Sequence, residues 1–159
     1  MEVRFINPFL EGTINVLQTM AMVVPRAGKP YLKEGTLAKG DVSGIIGLTG
    51  SARGSLALSF SQSCILKIVS NMLGEDYRDI TAEVRDAVGE ITNMISGVAR
   101  KKLESDGLNV AAAIPTVVSG KDHSFIHVLG GPSIIIPFET DHGPFFVDVC
   151  LKETRQEQS

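Results

Sequence analysis

One long amphipathic segment restricts the folds open to this chain more than any other feature. Between residues 81 and 105, apolar side chains recur at the spacing of a single helix face. Thr81 is a favourable N-cap residue, and Asp106-Gly107 is a typical helix stop. The segment is therefore predicted to be a long helix with one face in a core. The apolar row consists of Val84, Val88, Ile91, Ile95 and Val98.

Shorter patterns predict two more helices and several strands. Asn7 followed by Pro8 is typical of a helix start, and the periodicity that follows predicts a helix over 8–23. A short helix is predicted over 61–72, with Gly74 as its stop. Two strands flank a glycine-rich turn at 50–54 and form a hairpin. The predicted strands cover 44–48, 56–60, about 109–119, a crossing near 124–128, 133–139 and 145–151.

The order of these elements predicts the fold class. A helix, strands, two helices and further strands are typical of an α+β fold, in which helices pack on a largely antiparallel sheet. At 159 residues, the chain has the length of one domain. We expect that domain to cover 1–152, with a polar, frayed tail at 153–159.

Charge and hydropathy argue against several classes of partner. The net charge of −3 gives no electrostatic basis for nucleic-acid binding. No apolar run approaches the roughly 18 residues of a membrane span, and the first residues lack the pattern of a secretory signal. We therefore expect a cytoplasmic protein. Cys64 and Cys150 lie far apart in apolar segments and are predicted to be buried thiols rather than a disulfide or a metal pair.

A polar stripe lies on the long helix, opposite its apolar row. Asp86, Glu90 and Asn93 share one face, with Gly97 one turn further on. Gly97, and Gly89 beside it, each cost about 1 kcal/mol relative to alanine in a helix interior. Their bare backbone lets another surface approach closely. An amide can hold a water molecule in a fixed orientation, and a carboxylate can contact a cation on a partner.

Other candidate sites lack the residues that their chemistry requires. The glycines near 44–54 have no following lysine and hydroxyl for a phosphate loop. His123, His127 and His142 lack acidic partners at ligand spacing, and we expect surface or loop histidines. No G-x-S-x-G elbow is present. The basic run at 100–102 matches the negative end of its helix.

The stripe also belongs to a longer pattern, Asp86-x3-Glu90-x2-Asn93-x21-Pro115. This pattern resembles the signature of the CheX/CheC/FliY family of chemotaxis phosphatases. The stretches GSLALSFS, AVGEITNMISG and PTVVSG are similar in texture to that family as well. Because the E-x-x-N element occurs only once, the resemblance is to the one-motif, CheX form rather than to the two-motif, CheC form.

The resemblance implies a fold, an assembly and an activity. The fold is CheC-like, an α/β arrangement of α+β type with a large antiparallel sheet, two long helices and a short one. Two subunits join through their sheets into a homodimer. The implied activity is hydrolysis of the aspartyl phosphate on a CheY-type response-regulator receiver domain, in two-component signalling.

The resemblance also implies roles for individual residues. Glu90 matches the acid that engages a lysine at the active site of the receiver, and Asn93 matches the amide that positions the attacking water. Asp86 and Pro115 match supporting positions, and we add Gly89 and Gly97 as supporting positions for partner approach. No cofactor or metal of its own is expected, since Mg²⁺ sits on the partner receiver.

Two alternatives remain open at this point. The same helix face would also suit an adaptor, which binds a receiver or another signalling partner without catalysis. An outward-facing acid and amide are, in addition, typical of an ordinary solvated surface.

Overall fold

Three helices cover one face of an antiparallel sheet in the computed structural model, which describes residues 3–33, 38–121, 123 and 132–154. A 3-10 turn at Val3–Phe5 leads into the first helix. The helices are α1 (Ile6–Ala21), α2 (Gln62–Leu73) and α3 (Ala82–Ser105). The strands are β1 (Arg26–Ala27), β2 (Tyr31–Leu32), β3 (Val42–Gly50), β4 (Ala52–Phe60), β5 (Val110–Ala112), β6 (Thr116–Ser119), β7 (Ile134–Thr140) and β8 (Gly143–Glu153).

The sheet confirms the predicted α+β class. Its strands run in the order β1-β7-β8-β4-β3-β5, with β2 also pairing with β7 and β6 with β3. Every pairing between the described strands is antiparallel. The central strands β8, β4 and β3 are long and largely buried, as expected for strands covered by a helix layer.

The long helix α3 was predicted almost to the residue. Its N-cap is Thr81, whose side chain accepts a hydrogen bond from the Val84 N–H at 3.3 Å, and its C-cap is Asp106. Four members of the apolar row are fully buried, and Val98 is half-buried against the same core. The short helix α2 ends at Gly74 in the left-handed conformation, as predicted.

The first helix differs from its predicted bounds at both ends. It begins at Ile6, directly after the 3-10 turn, so Asn7 lies inside the helix instead of capping it. Pro8 is tolerated because the N–H groups of the first turn have no partner within the helix. At the other end, Met22 adopts a left-handed conformation and its N–H bonds to the Leu17 carbonyl, so the helix ends at Ala21.

The strand predicted over 109–119 is two strands. β5 pairs with the end of β3, β6 pairs with its beginning, and the chain between them passes through Pro115. Proline has no N–H for a ladder and interrupts the strand at this point. The predicted crossing near 124–128 lies outside the described residues. β8 includes Glu153, one residue past the predicted domain boundary, and the next residue, Thr154, bonds to the hairpin turn at Ser51.

The helix α3 lies directly against β3. Gly44 faces the helix, and any side chain at this position would collide with the Thr92 hydroxyl. That hydroxyl is buried and donates to the Val88 carbonyl at 2.7 Å. The missing side chain at position 44 thus fixes how closely the helix approaches the sheet.

Polar contacts lie on the opposite face of the sheet. Lys33 and Asp148 form an ion pair of 2.8 Å, with only 7% and 3% of their side chains exposed. The buried Ser43 hydroxyl lies 2.6 Å from that of Ser59 and 2.6 Å from His123 Nε2. His123 is therefore a loop histidine, half-buried and held by hydrogen bonds.

Both cysteines are buried free thiols, as predicted. His142 is exposed in the turn before β8, and His127 lies outside the described residues. None of the described helices is both long and apolar enough to cross a bilayer.

Candidate active site

The exposed face of α3 carries the predicted polar stripe. The side chains of Asp86, Glu90 and Asn93 are all exposed, and they follow one another at helical spacing. Within the described part of the chain, none of the three forms a hydrogen bond or an ion pair through its side chain. Polar groups held on a rigid helix without internal partners are available to a second molecule.

A hollow of about 450 Å³ opens beside this stripe. Its floor is the bare backbone of Gly89, and its far wall comes from the β5–β6 connection and β6. A methyl group placed at Gly89 would lie 3.8 Å from Pro115 Cγ and 3.5 Å from Val117 Cγ2. The lining residues are Arg85, Asp86, Gly89, Glu90, Asn93, Pro115 and Val117.

A second hollow, of about 330 Å³, lies on the α2 side of the stripe. Asp86 and Glu90 line both hollows and form the ridge between them. The second hollow is more apolar, and the side chain of Leu73 at its edge is 49% exposed. Its lining residues are Met72, Leu73, Glu83, Asp86, Ala87 and Glu90.

The start of α3 is held in place by the loop before it. Tyr77 Oη donates to Glu83 Oε2 at 2.5 Å, and the Tyr77 N–H donates to the Ser70 hydroxyl at the end of α2. The hydrogen bond to the Glu83 carboxylate raises the pKa of Tyr77 above its ordinary value, so the phenol stays protonated and remains a donor. These contacts connect the end of α2 to the beginning of the stripe.

The residues of the first hollow restrict the chemistry that the protein can perform there. They supply two carboxylates, one guanidinium and one amide, and no hydroxyl, thiol or imidazole group. Covalent catalysis through a serine, threonine, cysteine or histidine nucleophile is therefore not available in this hollow. No group of three or more metal-ligating side chains occurs in the described ranges. The arrangement is suited to docking a charged partner and to orienting water.

Five of the six residues predicted for the site come together in this hollow: Asp86, Gly89, Glu90, Asn93 and Pro115. The sixth, Gly97, lies one turn beyond Asn93 and does not line the hollow. Sequence reasoning missed Arg85 and Val117. Arg85 has a signal in the sequence, since it precedes Gly89 by four residues and Asn93 by eight, which places the three along one helix face.

Comparison with known proteins gives a consistent result. The family model described as chemotaxis phosphatase CheX matches residues 42–139. The CheY-P phosphatase CheX of Thermotoga maritima is 34% identical over 123 residues, which cover 77% of this chain and 79% of that protein.

Solved structures share the fold over nearly the whole chain. A CheC-like superfamily protein from Shewanella sp. PV-4 is 46% identical, with a TM-score of 0.88, and the match covers 96% of this chain and 99% of that one. The CheX in the CheX–CheY–BeF3–Mg²⁺ complex from Borrelia burgdorferi is 28% identical. It has a TM-score of 0.78, and the match covers 96% of this chain and 100% of the matched chain.

Proposed function

Since this chain belongs to the chemotaxis phosphatase CheX family, we propose that it hydrolyses the aspartyl phosphate of a CheY-type receiver domain. One observation carries the proposal. Glu90 and Asn93 stand exposed on a rigid helix beside a hollow whose lining offers no hydroxyl, thiol or imidazole nucleophile. The name of the Thermotoga relative and the Borrelia complex with CheY support this choice of substrate.

The proposed reaction is an in-line attack of water on phosphorus. The water oxygen forms a bond to phosphorus while the bond from phosphorus to the aspartyl oxygen breaks. The receiver regains its carboxylate, and both protons of the water leave with the inorganic phosphate. An acyl phosphate is already reactive, so the orientation of one water molecule is the main contribution that this protein has to make.

Asn93 and Glu90 have separate roles in this scheme. The Asn93 amide enters the receiver site and orients the attacking water through its donor and acceptor groups. Glu90 makes a charge-assisted contact with a lysine of the receiver and fixes the docking position. Asp86, Gly89, Gly97 and Pro115 support the approach of the partner. Mg²⁺ is held by the receiver, and the protein contributes no cofactor.

The direct test mixes the purified protein with phosphorylated CheY-type receivers and Mg²⁺ and follows the release of phosphate. Asn93→Ala should lower kcat at least about a hundredfold while the KM changes little, because the amide acts on the water and not on docking. Asn15→Ala is the matched control, since Asn15 is an exposed helical asparagine on α1. Full activity of Asn93→Ala would overturn the mechanism.

The same experiment separates the phosphatase from an adaptor. An adaptor would bind the receiver but would not accelerate phosphate loss, and Asn93→Ala would leave that binding unchanged. If the wild-type protein accelerates phosphate loss and Asn93→Ala does not, the protein is a phosphatase and not an adaptor.

The protein acts in the cytoplasm as a homodimer in this proposal. The resemblance to CheX-type proteins and the exposed sheet edge support the dimer. At that edge, β2 is only two residues long, and Leu32 on it is 64% exposed. Light scattering at micromolar concentration should give twice the 17.0 kDa mass of one chain. A single-chain mass would contradict the dimer without affecting the proposed chemistry.

A further inference from the structure

We propose that Arg85 reads the phosphorylation state of the receiver, making this protein bind the phosphorylated form in preference to the unphosphorylated one. The inference rests on the proposed function and assigns it a residue that specifies the substrate. Arg85 lines the first hollow together with Glu90 and Asn93, and its side chain is exposed.

Arg85 has no ionic partner in the described part of the chain. The sequence explains this, because the neighbours that a helix provides three and four residues away are Thr81, Ala82, Val88 and Gly89, none of which is acidic. Lys102, by contrast, forms an ion pair of 2.9 Å with Glu11. The guanidinium of Arg85 is thus left available to a second molecule.

Arg85 and Asn93 line the same hollow on one helix face. The two residues are eight positions apart, which is about 12 Å along the helix axis. Gly89 lies midway between them on the same face and carries no side chain. A group that enters the hollow to meet Asn93 can therefore face Arg85 across bare backbone.

The charges around the site indicate which kind of group this is. The other charged residues that line the two hollows are Glu83, Asp86 and Glu90, all acidic. Such a ridge attracts a lysine of the partner but repels a phosphoryl group, which carries negative charge. Among the described lining residues, Arg85 is the one cation. Guanidinium binds phosphate oxygens through two parallel hydrogen bonds, so Arg85 offsets the repulsion when the phosphoryl group is present.

The experiment measures binding to a CheY-type receiver in two states. One sample is loaded with BeF3⁻ and Mg²⁺, which mimic the phosphorylated aspartate without being turned over, and the other contains Mg²⁺ alone. The ratio of the two Kd values measures how strongly the phosphorylated state is preferred. Arg85→Ala should lower this preference about tenfold and leave the Kd for the unloaded receiver unchanged.

A conservative variant and a control variant complete the experiment. Arg85→Lys should restore part of the preference, because it keeps the charge but loses the bidentate geometry. Arg53→Ala is the matched control, since Arg53 is an exposed arginine on β4 that lines neither hollow. An equal loss of binding to both receiver states in Arg85→Ala would overturn the proposal and would indicate a contact with a permanent acidic group. An unchanged ratio would overturn it as well.

This outcome can be distinguished from failure of the proposed function. If the wild-type protein accelerates phosphate loss and Asn93→Ala does not, the phosphatase stands whatever Arg85→Ala shows. If the wild-type protein neither binds the receiver nor accelerates phosphate loss, the proposed function itself is wrong.

Discussion

Gly89 on α3 faces Pro115 after β5 across a gap the size of one methyl group: such a group at position 89 would lie 3.8 Å from Pro115 Cγ. This proximity gives a physical reason for the long spacer in the sequence pattern. The chain leaves α3, forms β5 along the end of β3, and returns at the proline to close the hollow beside Asn93. Gly89 and Pro115, far apart in sequence, thus form the floor and one wall of the same hollow.

Gly89→Ala should stabilise the protein and impair its activity. Alanine gains up to about 1 kcal/mol over glycine in a helix interior, and its methyl would make only ordinary contacts of 3.5 and 3.8 Å. The same methyl occupies the floor on which we propose that the partner docks, so the KM for the phosphorylated receiver should rise. Urea unfolding and a phosphatase assay on the same variant measure both effects. Gly97→Ala should gain similar stability and lose less activity, since Gly97 lies outside the hollow. A stabilised Gly89→Ala with wild-type KM would contradict close docking at this point.

Glu90→Gln should weaken docking more than it slows the chemical step. The substitution keeps the size of the side chain and removes the charge, so the KM should rise about ten- to a hundredfold. The ratio of the two KM values should be smaller at high ionic strength, because salt screens the attraction between Glu90 and the receiver in the wild-type protein. Steady-state assays at two salt concentrations provide the measurement. Glu104→Gln is the control, an exposed glutamate on the same helix that lines neither hollow. A fall in kcat with unchanged KM would instead give Glu90 a role in the reaction itself.

The buried pair of Lys33 and Asp148 should be sensitive to the loss of one partner alone. Asp148→Ala leaves the lysine charge in a buried site and should lower the free energy of unfolding by about 3–5 kcal/mol. The double variant Lys33→Met/Asp148→Leu should recover much of that loss. Denaturant unfolding of the two variants makes the comparison. If the double variant is as unstable as Asp148→Ala, the loss of stability comes from removal of the ion pair itself and not from the uncompensated lysine charge.

Cys64 should resist thiol reagents until the protein unfolds. Burial raises the pKa of this thiol from 9.0 to about 11, although the Thr140 hydroxyl that donates to its sulfur acts in the opposite direction. The folded protein therefore holds the proton more tightly than the unfolded chain. The associated stability is fully present below pH 9 and is lost as the pH rises through about 11. The free energy of unfolding should fall less steeply over this range in Cys64→Ala. Labelling of the native protein at pH 8 would show instead that the helix layer opens readily.

The sequence was most informative where local and long-range signals agreed. Thr81, the apolar row and Asp106-Gly107 each mark α3, so its bounds and its exposed face were predicted correctly. The strands β1 and β2 were harder to predict, since two-residue strands depend on pairing with β7 and have no periodicity of their own. The start of α1 was misplaced because the 3-10 turn supplies the entry that Asn7 was expected to provide.

For the candidate site, the sequence predicted the residues that share a spacing but not those that depend on the third dimension. Asp86, Glu90 and Asn93 follow directly from helical geometry. Val117 joins the hollow only because β6 pairs with the beginning of β3, which no local pattern indicates. Arg85 was overlooked for a different reason. A single arginine on an exposed helix face is common in proteins, and only the structure shows that this one lines the hollow.

The contact between Gly44 and Thr92 has a consequence for how the protein meets its partner. Thr92 is the residue before Asn93, and it is anchored over the sheet at the point where β3 has no side chain. The backbone that carries the proposed water-orienting amide is therefore next to a fully buried residue that is packed on the sheet. Little conformational entropy is left in that backbone to be lost on docking. When a partner binds to this face, we therefore expect the conformational change to occur in the partner, while α3 acts as a rigid template.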